Sequence, residues 1–403
     1  MKIVRIIARL NVGGPAIHVV HLTHEFRKRG HESLLVVGPV PETEGNMEYY
    51  AAEWEIPLIR VAELVRPVSP KKDLIALWKI YRLIRREKPQ IVHTHTAKAG
   101  TLGRLAALLA GVPITIHTFH GNIFDGYFSP AKTRLFLFIE RLLAHFTDRI
   151  ITVSRSQSEE LIGKYKIGTP EKVEVVRLGI DLGAFQSVGE VNLDQARMQK
   201  DHELVIGWVG RFTEIKDPVF FVDLAAALKS AGTLTKFIMV GDGPLRPAVE
   251  ARISERGLQG DIMLVGWQDN MAELYARIDL MVLTSLNEGT PVTMIESMAT
   301  GRPFVAFDVG GMADLMSGMG RPCEGFNVFD NGVLVGPRDI HAFARAIDLL
   351  VRDPELRVRM GQAGKAFAFQ NFSKERLAQD MEALYRKLTV SHAGAVPERV
   401  SSN

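Results

Sequence analysis

The sequence predicts an α/β protein built from two doubly wound, Rossmann-like domains. Short runs rich in Val, Ile and Leu alternate with helical segments, a pattern typical of parallel strands that are buried on both faces. The alternation stops in a polar stretch at residues 181–202 and then starts again. A chain of 403 residues is also long enough for two domains. The predicted domains are 1–180 and 181–372, and a C-terminal helix at 373–390 is expected to pack on either domain or to cross back to the first.

Each domain contains its own series of predicted strands. The runs of the first are IVRIIARL, ESLLVVGP, QIVHTHT, PITIHTFH, RIITVS and KVEVVRLGI. Those of the second are LVIGWVG, KFIMVGDG, IMLVGW, LMVLTS, PFVAFDVGG and VLVGP, with FFVDLAAALKSAG and AELYARI as helices between them. Ligands of such sheets bind in the loops after the carboxyl ends of strands, so the cleft between the domains is the expected site.

The composition is that of a folded protein, with 46% hydrophobic and 24% charged residues. The single cysteine, Cys323, excludes an internal disulfide and fits a reducing compartment. Arg5 and Arg9 interrupt the first apolar run, which therefore predicts a strand and not a signal peptide. No uncharged run approaches the ~18 to 20 apolar residues of a membrane helix. These observations predict a cytoplasmic protein that does not span a membrane.

The net charge of +3 is unevenly distributed. Residues 71–88 combine many Lys and Arg with Leu, Ile, Trp and Tyr, and residues 131–146 are strongly apolar with basic edges. Both segments read as core-packing helices with a solvated basic face, or as helices that lie on an anionic membrane surface. No nucleic-acid-binding signature accompanies the charge, so no nucleic acid is predicted as a partner.

Several common motifs are missing from the sequence. It has no Walker loop, no HExxH, no CxxC and no complete GxGxxG, because GDGPLR lacks the third glycine. It also has no Asp-x-Asp triplet, the usual means of holding a divalent ion on a nucleotide diphosphate. A metal-independent site that requires no cofactor is therefore predicted.

Two loops that follow strands have the residue types of an anion site. In NVGGPAIH, Gly13 and Gly14 precede a helix, and such glycines let the backbone approach an anion or simply form a tight turn. In GWVGRFTEIKDP, Gly210 and Arg211 end a strand and Lys216 comes five residues after the arginine. An arginine fork and a lysine point charge suit a diphosphate, although both could also be solvated loop cations.

The segments HTHTAKAG and HTFHGN carry clustered polar residues, namely His93, His95, Lys98, His117 and His120. Clustered histidines can indicate a metal, but these lie on two strands without a carboxylate, so a metal is not predicted. A neutral histidine at a strand end, such as His120, can instead bond a sugar hydroxyl or a phosphate. His93 and His117 alternate into the sheet and also fit a structural role.

Two glutamates occupy unexpected positions in NEGTPVTMIESMATG. Thr290 as N-cap, Pro291 as first residue and Gly301 as the C-terminal stop predict a buried helix. Glu288 lies just before that cap, at the positive end of the helix dipole, and Glu296 lies at the edge of the apolar stripe. Either both acids are solvated or they serve a ligand.

Taken together, these loops resemble the retaining glycosyltransferases of family 4, which have the GT-B fold of two Rossmann-like domains facing each other across a cleft. The matching pieces are GGPAIH, HTHTAKAG, TFHG, GRFTEIKDP, VGDGP, NEGTPVTMIESMATG and DVGG, and they cover nearly the whole chain in order. The most specific piece is the pair Glu288 and Glu296, with seven residues between them. HTHTAKAGTLGR further resembles bacterial enzymes that assemble capsule, exopolysaccharide or O-antigen sugars on polyprenyl carriers.

The resemblance implies a role for each matched position. Glu296 would accept hydrogen bonds from the ribose, Arg211 and Lys216 would neutralise the leaving diphosphate, and Glu288 and His120 would face the transferred sugar. The remaining donor-binding candidates are Gly13, Gly14, Gly210, Gly289, Thr290, Pro291 and Val292. The candidates on the acceptor side are His95, Lys98 and Asn122.

The function implied is transfer of a sugar, with UDP as the expected nucleotide, to a glycan or polyprenyl-linked acceptor in bacterial surface polysaccharide synthesis. The enzyme is expected to be cytoplasmic or peripheral at the inner face of the plasma membrane. One alternative is an epimerase of GT-B shape that acts on a UDP-sugar without an acceptor. The other is an NAD-dependent Rossmann enzyme, which the incomplete GxGxxG disfavours.

Overall fold

The computed structural model describes residues 1–11, 13–41, 45–121, 129–186, 188, 203–268 and 270–394. The chain forms two compact units. Unit 1 comprises Met1–Ile180 together with Ser373–Asn403, and unit 2 comprises Asp181–Phe372. Each unit contains one twisted sheet with helices packed on it.

The strands of unit 1 form a parallel sheet in the order β3-β2-β1-β4-β5-β6-β7. They are β1 Lys2–Ile7, β2 Glu32–Val37, β3 Leu58–Arg60, β4 Ile91–His95, β5 Ile114–Phe119, β6 Arg149–Thr152 and β7 Val173–Val175. The sheet of unit 2 has the order β10-β9-β8-β11-β12-β15-β14-β13. Its strands are β8 Leu204–Val209, β9 Thr235–Val240, β10 Ile262–Leu264, β11 Leu280–Leu283, β12 Phe304–Phe307, β13 Arg321–Cys323, β14 Phe326–Val328 and β15 Gly332–Val335.

The α-helices connect these strands. Those of unit 1 up to the linker are α1 Gly14–Lys28, α2 Glu48–Glu53, α3 Pro70–Glu87, α4 Ala97–Ala110, α5 Pro130–His145 and α6 Arg155–Glu159. Those of unit 2 are α7 Gly183–Gln186, α8 Pro218–Ser230, α9 Arg246–Glu255, α10 Met271–Ala276, α11 Val292–Ala299, α12 Ile340–Arg352 and α13 Pro354–Phe372. The last helix is α14, Lys374–Gly394. A π-helical turn spans Glu160–Lys164, and 3-10 turns span Glu214–Lys216 and Gly310–Leu315.

The predicted α/β fold with two Rossmann-like sheets is confirmed, and every predicted apolar run contains a strand. The sequence did not reveal β3, β13 and β14, which have only three residues each. The last two are antiparallel to their neighbours, and they extend the edge of the sheet of unit 2 beyond β15. Length alone is not the reason, because β7 and β10 are equally short and lie within predicted apolar runs. β13, by contrast, has the sequence RPC and is exposed throughout, so no apolar run marks it.

The last helix of the chain, α14, completes the core of unit 1. Its residues Leu377, Met381 and Tyr385 are fully buried in a cluster with Ile3 and Leu22. At its first turn, the guanidinium of Arg376 donates to the carbonyl oxygens of Arg177 and Leu178, at 2.6 and 2.9 Å. Farther along, Glu382 pairs with Arg29 and His31, each at 3.1 Å.

Among the described residues, no helix is both long and apolar enough to traverse a bilayer.

Candidate active site

In unit 2, the carboxyl end of β8 leads into the cation loop, residues 210–217. Its Lys216 ammonium forms an ion pair with the carboxylate of Glu288, which follows β11. Arg211 is exposed, and its guanidinium bonds to no residue that the structure describes. The structure thus brings the predicted lysine and the first predicted glutamate into direct contact and leaves the arginine available.

The backbone of the cation loop is fixed by the buried hydroxyl of Thr284, one residue after β11. Its Oγ1 lies 2.9 Å from the carbonyl oxygens of both Lys216 and Asp217, and it accepts a hydrogen bond from the indole N–H of Trp208 at 2.9 Å. Asp217 has a left-handed backbone and is the N-cap of α8, and its carboxylate accepts a hydrogen bond from the amide of Phe220. These contacts hold Lys216 through its backbone, while its ammonium pairs with Glu288.

Close backbone approaches explain two of the glycines that the predicted motifs contain. Gly241, which has φ +121°, follows β9, and a Cβ there would lie 1.9 Å from the carbonyl oxygen of Gly210. Gly310, which has φ +54°, approaches the Glu288 loop, where a Cβ would lie 2.1 Å from the carbonyl oxygen of Glu288. The amide of Gly311 donates to that same oxygen at 2.9 Å. The DVGG segment therefore fixes the position of Glu288.

Helix α11 begins one residue later than the sequence predicts. Its N-cap is Pro291, with φ −70° and ψ 117°, and no side chain caps the helix, so the prediction that Thr290 is the N-cap is wrong. The predicted stop is correct, because the helix ends at Ala299 and Gly301 has φ +71°.

Glu296 is the largely buried acid of α11. Burial raises its pKa to about 7, although a hydrogen bond from Tyr275 opposes the shift. The Tyr275 hydroxyl lies 2.9 Å from Oε2 of Glu296 and 3.1 Å from the carbonyl oxygen of Thr293. A carboxylate held by one donor in a poorly solvated site has lone pairs available for further donors, such as the hydroxyls of a bound ligand.

In unit 1, the predicted residues lie at the carboxyl edge of the sheet. Gly13 is the N-cap of α1, so the amide of Gly14 lies at the electropositive end of this helix. His120 directly follows β5, and its Nε2 lies 3.0 Å from Nδ1 of His95, the last residue of β4. Burial lowers the pKa of His120 to about 3, so its imidazole is neutral at physiological pH.

Other predicted residues of unit 1 have structural partners. His93 bonds Tyr385 at 2.6 Å and Thr118 at 2.7 Å, and His117 bonds Thr94 at 2.9 Å, which fits their structural interpretation. The ammonium of Lys98 pairs with Asp73 at 2.5 Å and also donates to the carbonyl of Pro67, so its charge is already balanced. Asn122 lies outside the described residues.

Sequence reasoning missed one residue beside the candidate residues of each unit. His18 of α1 packs edge-on against His120, with ring centroids 4.9 Å apart, and Tyr275 of α10 orients Glu296. His18 belongs to the quoted GGPAIH motif, and its place one turn inside the helix could have directed attention to it. Tyr275 carries no such signal, because only the packing of α10 on α11 brings its hydroxyl to the acid.

A cavity of about 330 Å³ lies at the opposite, amino-terminal edge of the sheet of unit 2. Its lining includes Asp279, Arg302 and Arg357. The guanidinium of Arg302 caps the carbonyls at the end of α10, and that of Arg357 caps those at the end of α12, at 2.7 Å from Leu350. Because these arginines already serve as helix caps, the cavity has no evident part in chemistry at the carboxyl edge.

The residues of unit 2 can bind an anion and a hydroxyl-bearing group side by side. Lys216 and Arg211 supply positive charge, and Glu288 and Glu296 supply hydrogen-bond acceptors. When a nucleotide diphosphate leaves a sugar, negative charge grows on the phosphate and positive character grows on the ring. Fixed cations near the first and fixed acceptors near the second would stabilise that transition state.

Comparisons with known proteins agree with this geometry. The sequence profile of Glycosyltransferase Family 4 matches residues 12–184, and that of Glycosyl transferases group 1 matches residues 203–353. The chain is 30% identical to the UDP-Gal:alpha-D-GlcNAc-diphosphoundecaprenol alpha-1,3-galactosyltransferase of Escherichia coli, over 74% of this chain and 76% of that enzyme. It is 24% identical to the capsular polysaccharide biosynthesis glycosyltransferase CapM of Staphylococcus aureus, over 83% and 86% of the two chains.

Solved structures show the same fold. The crystal structure of Anabaena HepE in complex with UDP superposes with a TM-score of 0.78 at 19% identity, covering 96% of this chain and all of the other. The lipopolysaccharide outer core galactosyltransferase WaaB superposes with a TM-score of 0.71 at 17% identity, again over 96% of this chain and all of the other. The chain therefore belongs to the GT-B glycosyltransferases of family 4, retaining and metal-independent enzymes that transfer a sugar from a nucleotide sugar in bacterial polysaccharide synthesis.

Proposed function

We propose that the donor is a UDP-sugar and that unit 2 binds its nucleotide. The observation that carries this proposal is the ion pair of Lys216 with Glu288 next to the start of α11, the helix on which Tyr275 holds Glu296. Glu296 accepts the ribose hydroxyls, and Lys216 and Arg211 neutralise the diphosphate. The E. coli relative is a UDP-galactose enzyme by name, and the HepE structure contains UDP, which supports uracil as the base.

On donor binding, the Lys216 ammonium contacts the diphosphate and shares its charge with Glu288. The amides of Gly289, Thr290 and Val292, before and at the start of α11, face the same anion. In unit 1, the amide of Gly14 lies at the positive end of α1. His120 is neutral, so it can donate to or accept from the transferred sugar without adding charge. The acceptor attacks on the face that the diphosphate leaves, and the departing phosphate takes its proton.

The test of the donor proposal is thermal stabilisation by UDP, GDP, ADP and NAD, measured on the wild type and on Glu296→Ala. A ligand at about 100 times its dissociation constant stabilises the folded state by about 2.7 kcal/mol. We expect UDP alone to stabilise the wild type and the variant to lose that effect. Stabilisation by NAD instead of UDP would contradict the proposal and favour the dehydrogenase alternative.

We further propose that the acceptor is a sugar on a polyprenyl diphosphate carrier. The E. coli relative acts on a diphosphoundecaprenol-linked sugar by name. The experiment is turnover of UDP-hexoses with and without a GlcNAc-diphosphoprenol. We expect turnover to require that acceptor, whereas conversion of the donor without acceptor would indicate the epimerase alternative.

The protein then acts at the cytoplasmic face of the membrane, and α3 provides the contact. This helix exposes 68% of Leu74 and 53% of Trp78, and its exposed cations include Lys71, Lys79 and Arg82. Arg82 lies over the Trp78 ring at 4.7 Å. Apolar side chains among lysines and arginines bind an anionic bilayer through both partition and charge. On the other side of α4, α5 adds exposed Leu135, Phe138 and Leu142.

The membrane proposal is tested by co-sedimentation with phosphatidylglycerol and phosphatidylcholine vesicles. We expect binding to the anionic vesicles only, weakening with added salt. Trp78→Ala should reduce binding several-fold. Trp267→Ala is the matched control, because Trp267 of unit 2 is also 53% exposed but lies outside α3. Equal effects of the two substitutions would contradict a role for α3.

A further inference from the structure

Three imidazoles converge at the carboxyl edge of the sheet of unit 1. His18 comes from the second turn of α1, His95 ends β4 and His120 follows β5. One ring nitrogen from each lies within 4.8 Å of the other two. Three elements distant in sequence thus place three nitrogen atoms in a space the size of one ion.

The hydrogen bonds within this cluster are incomplete. Both ring nitrogens of His18 and Nε2 of His95 are buried and have no hydrogen-bond partner among the described residues. A neutral imidazole carries one donor and one acceptor nitrogen, and buried polar atoms are rarely left unpaired. His18 therefore presents a lone pair that a ligand would satisfy. His95 Nδ1 and His120 Nε2 share one proton in their hydrogen bond, and this proton must move to the other nitrogen of its ring when an ion takes its place.

Contacts between rings hold the cluster in place. His95 lies against His93 with 4.1 Å between ring centroids, and His93 is fixed by Tyr385 and Thr118. His120 lies beside His95 with ring centroids 5.3 Å apart, and His18 lies edge-on to His120 at 4.9 Å. The three rings are therefore positioned by one another as well as by the elements that carry them.

We propose that His18, His95 and His120 form a binding site for one transition-metal ion of the Zn²⁺ class, and that the bound ion inhibits sugar transfer. Zinc takes three histidine nitrogens at 2.0–2.1 Å, which places them about 3.3 Å apart in a tetrahedron, and leaves a fourth position open. The site needs only small shifts to reach that spacing, since His95 Nδ1 and His120 Nε2 are already 3.0 Å apart.

The proposed inhibition depends on the proposed function of His120. If His120 contacts the transferred sugar, a metal on its ring nitrogen removes that contact. The reaction of the family needs no metal, so the ion acts as an inhibitor and not as a cofactor. The guanidiniums of Arg5 and Arg376 contribute positive charge near His18, which weakens the hold on a dication and makes the site readily reversible.

The experiment titrates the metal-free, full-length chain with Co²⁺, whose visible absorption is intense in tetrahedral and weak in octahedral coordination. We expect one Co²⁺ per chain with the tetrahedral spectrum, and displacement by Zn²⁺. His18→Asn and His95→Gln should each weaken binding by more than about 100-fold, since loss of even an outer-sphere partner costs 10- to 100-fold. His392→Asn is the control for a surface histidine, since this side chain is 42% exposed, and it should bind like the wild type.

A weak octahedral spectrum, or Co²⁺ binding that His18→Asn leaves unchanged, would overturn the proposal. The wild-type titration tests for tetrahedral Co²⁺ coordination even if a variant fails to fold. Circular dichroism reports whether each variant is folded. Zinc should suppress transfer and a chelator should restore it, with UDP stabilisation unchanged, because the nucleotide residues lie in unit 2. Loss of UDP binding with an intact cobalt spectrum would contradict the donor proposal alone.

Discussion

At the residue scale, the candidate site of unit 2 combines an ion pair with a buried acid. Lys216 pairs with Glu288, and burial raises the pKa of Glu296 to about 7. Acids with a raised pKa cluster at functional sites. The sequence predicted Arg211 with Lys216, and Glu288 with Glu296, from the motifs that contain them. The motifs could not indicate that Tyr275 donates to Glu296 or that Lys216 contacts Glu288.

Removing the Lys216 ammonium should affect turnover much more than stability. The backbone of this residue, not its side chain, is bonded to Thr284, so Lys216→Ala keeps the loop fixed. We expect kcat to fall about 10²- to 10³-fold, the usual cost of losing one donor to a developing anion. Steady-state kinetics and chemical denaturation measure the two effects, with Arg211→Ala as the parallel variant. A large loss of folding stability with normal kcat per folded molecule would make Lys216 structural.

The affinity for UDP should depend on the protonation of Glu296. Ribose hydroxyls donate to the carboxylate, so binding requires the ionised acid. Because the pKa is about 7 in the folded protein, UDP affinity should fall by up to about tenfold per pH unit below 7 and level off above it. Isothermal titration from pH 5.5 to 8.5 measures this. Glu296→Gln should give weaker binding without the pH dependence, and an unchanged slope in that variant would assign the effect elsewhere.

At the element scale, loops were harder to predict than strands and helices. Apolar runs mark the strands because burial on both faces demands them. The start of α11 was placed one residue early because Pro291 has an extended backbone, with ψ 117°, which the local sequence does not reveal. The strands β3, β13 and β14 were missed although the equally short β7 and β10 were predicted, because those two lie within longer apolar runs, whereas β13, for example, is RPC and fully exposed.

The contact between the DVGG segment and the Glu288 loop can be tested at Gly310. Gly310→Ala combines a positive φ with a collision against the Glu288 carbonyl oxygen at 2.1 Å. Gly257→Ala is the matched control, because Gly257 has a similar φ of +67° but no neighbouring atom within 4 Å. Both should lose about 1–2 kcal/mol for the left-handed backbone. Only Gly310→Ala should lose further stability and turnover, measured by denaturation and kinetics, and equal losses would mean that the loop contact is unimportant.

At the scale of the whole molecule, the two units differ in how the chain builds them. Unit 2 is continuous, from Asp181 to Phe372, whereas unit 1 combines Met1–Ile180 with Ser373–Asn403. The sequence left open which unit the last helix joins, because the apolar face of an amphipathic helix does not identify the surface on which it packs. The packing of Tyr385 and Met381 with Ile3 answers that question for this structure.

A chain that ends at Phe372 should keep unit 2 and lose unit 1. It lacks Leu377, Met381 and Tyr385, so one face of the first sheet is left open to solvent. We expect UDP stabilisation to persist, and limited proteolysis to cleave within residues 1–180 while sparing 203–372. Ending the chain at residue 394, after α14, is the control. Resistance of the shorter chain to protease would show that α14 is dispensable for unit 1.

Synthesis on the ribosome proceeds from the first strand to the last helix, and this gives the position of α14 a consequence for biogenesis. The first 180 residues of unit 1 emerge before unit 2, yet unit 1 cannot complete its core until α14 has left the exit tunnel. Unit 2 is translated later, but because it is continuous, all of its residues are synthesised in one uninterrupted stretch. The nascent chain therefore carries an exposed apolar sheet face through most of its translation, a surface of the kind that chaperones recognise. Any premature stop before α14 would release the polypeptide in that state.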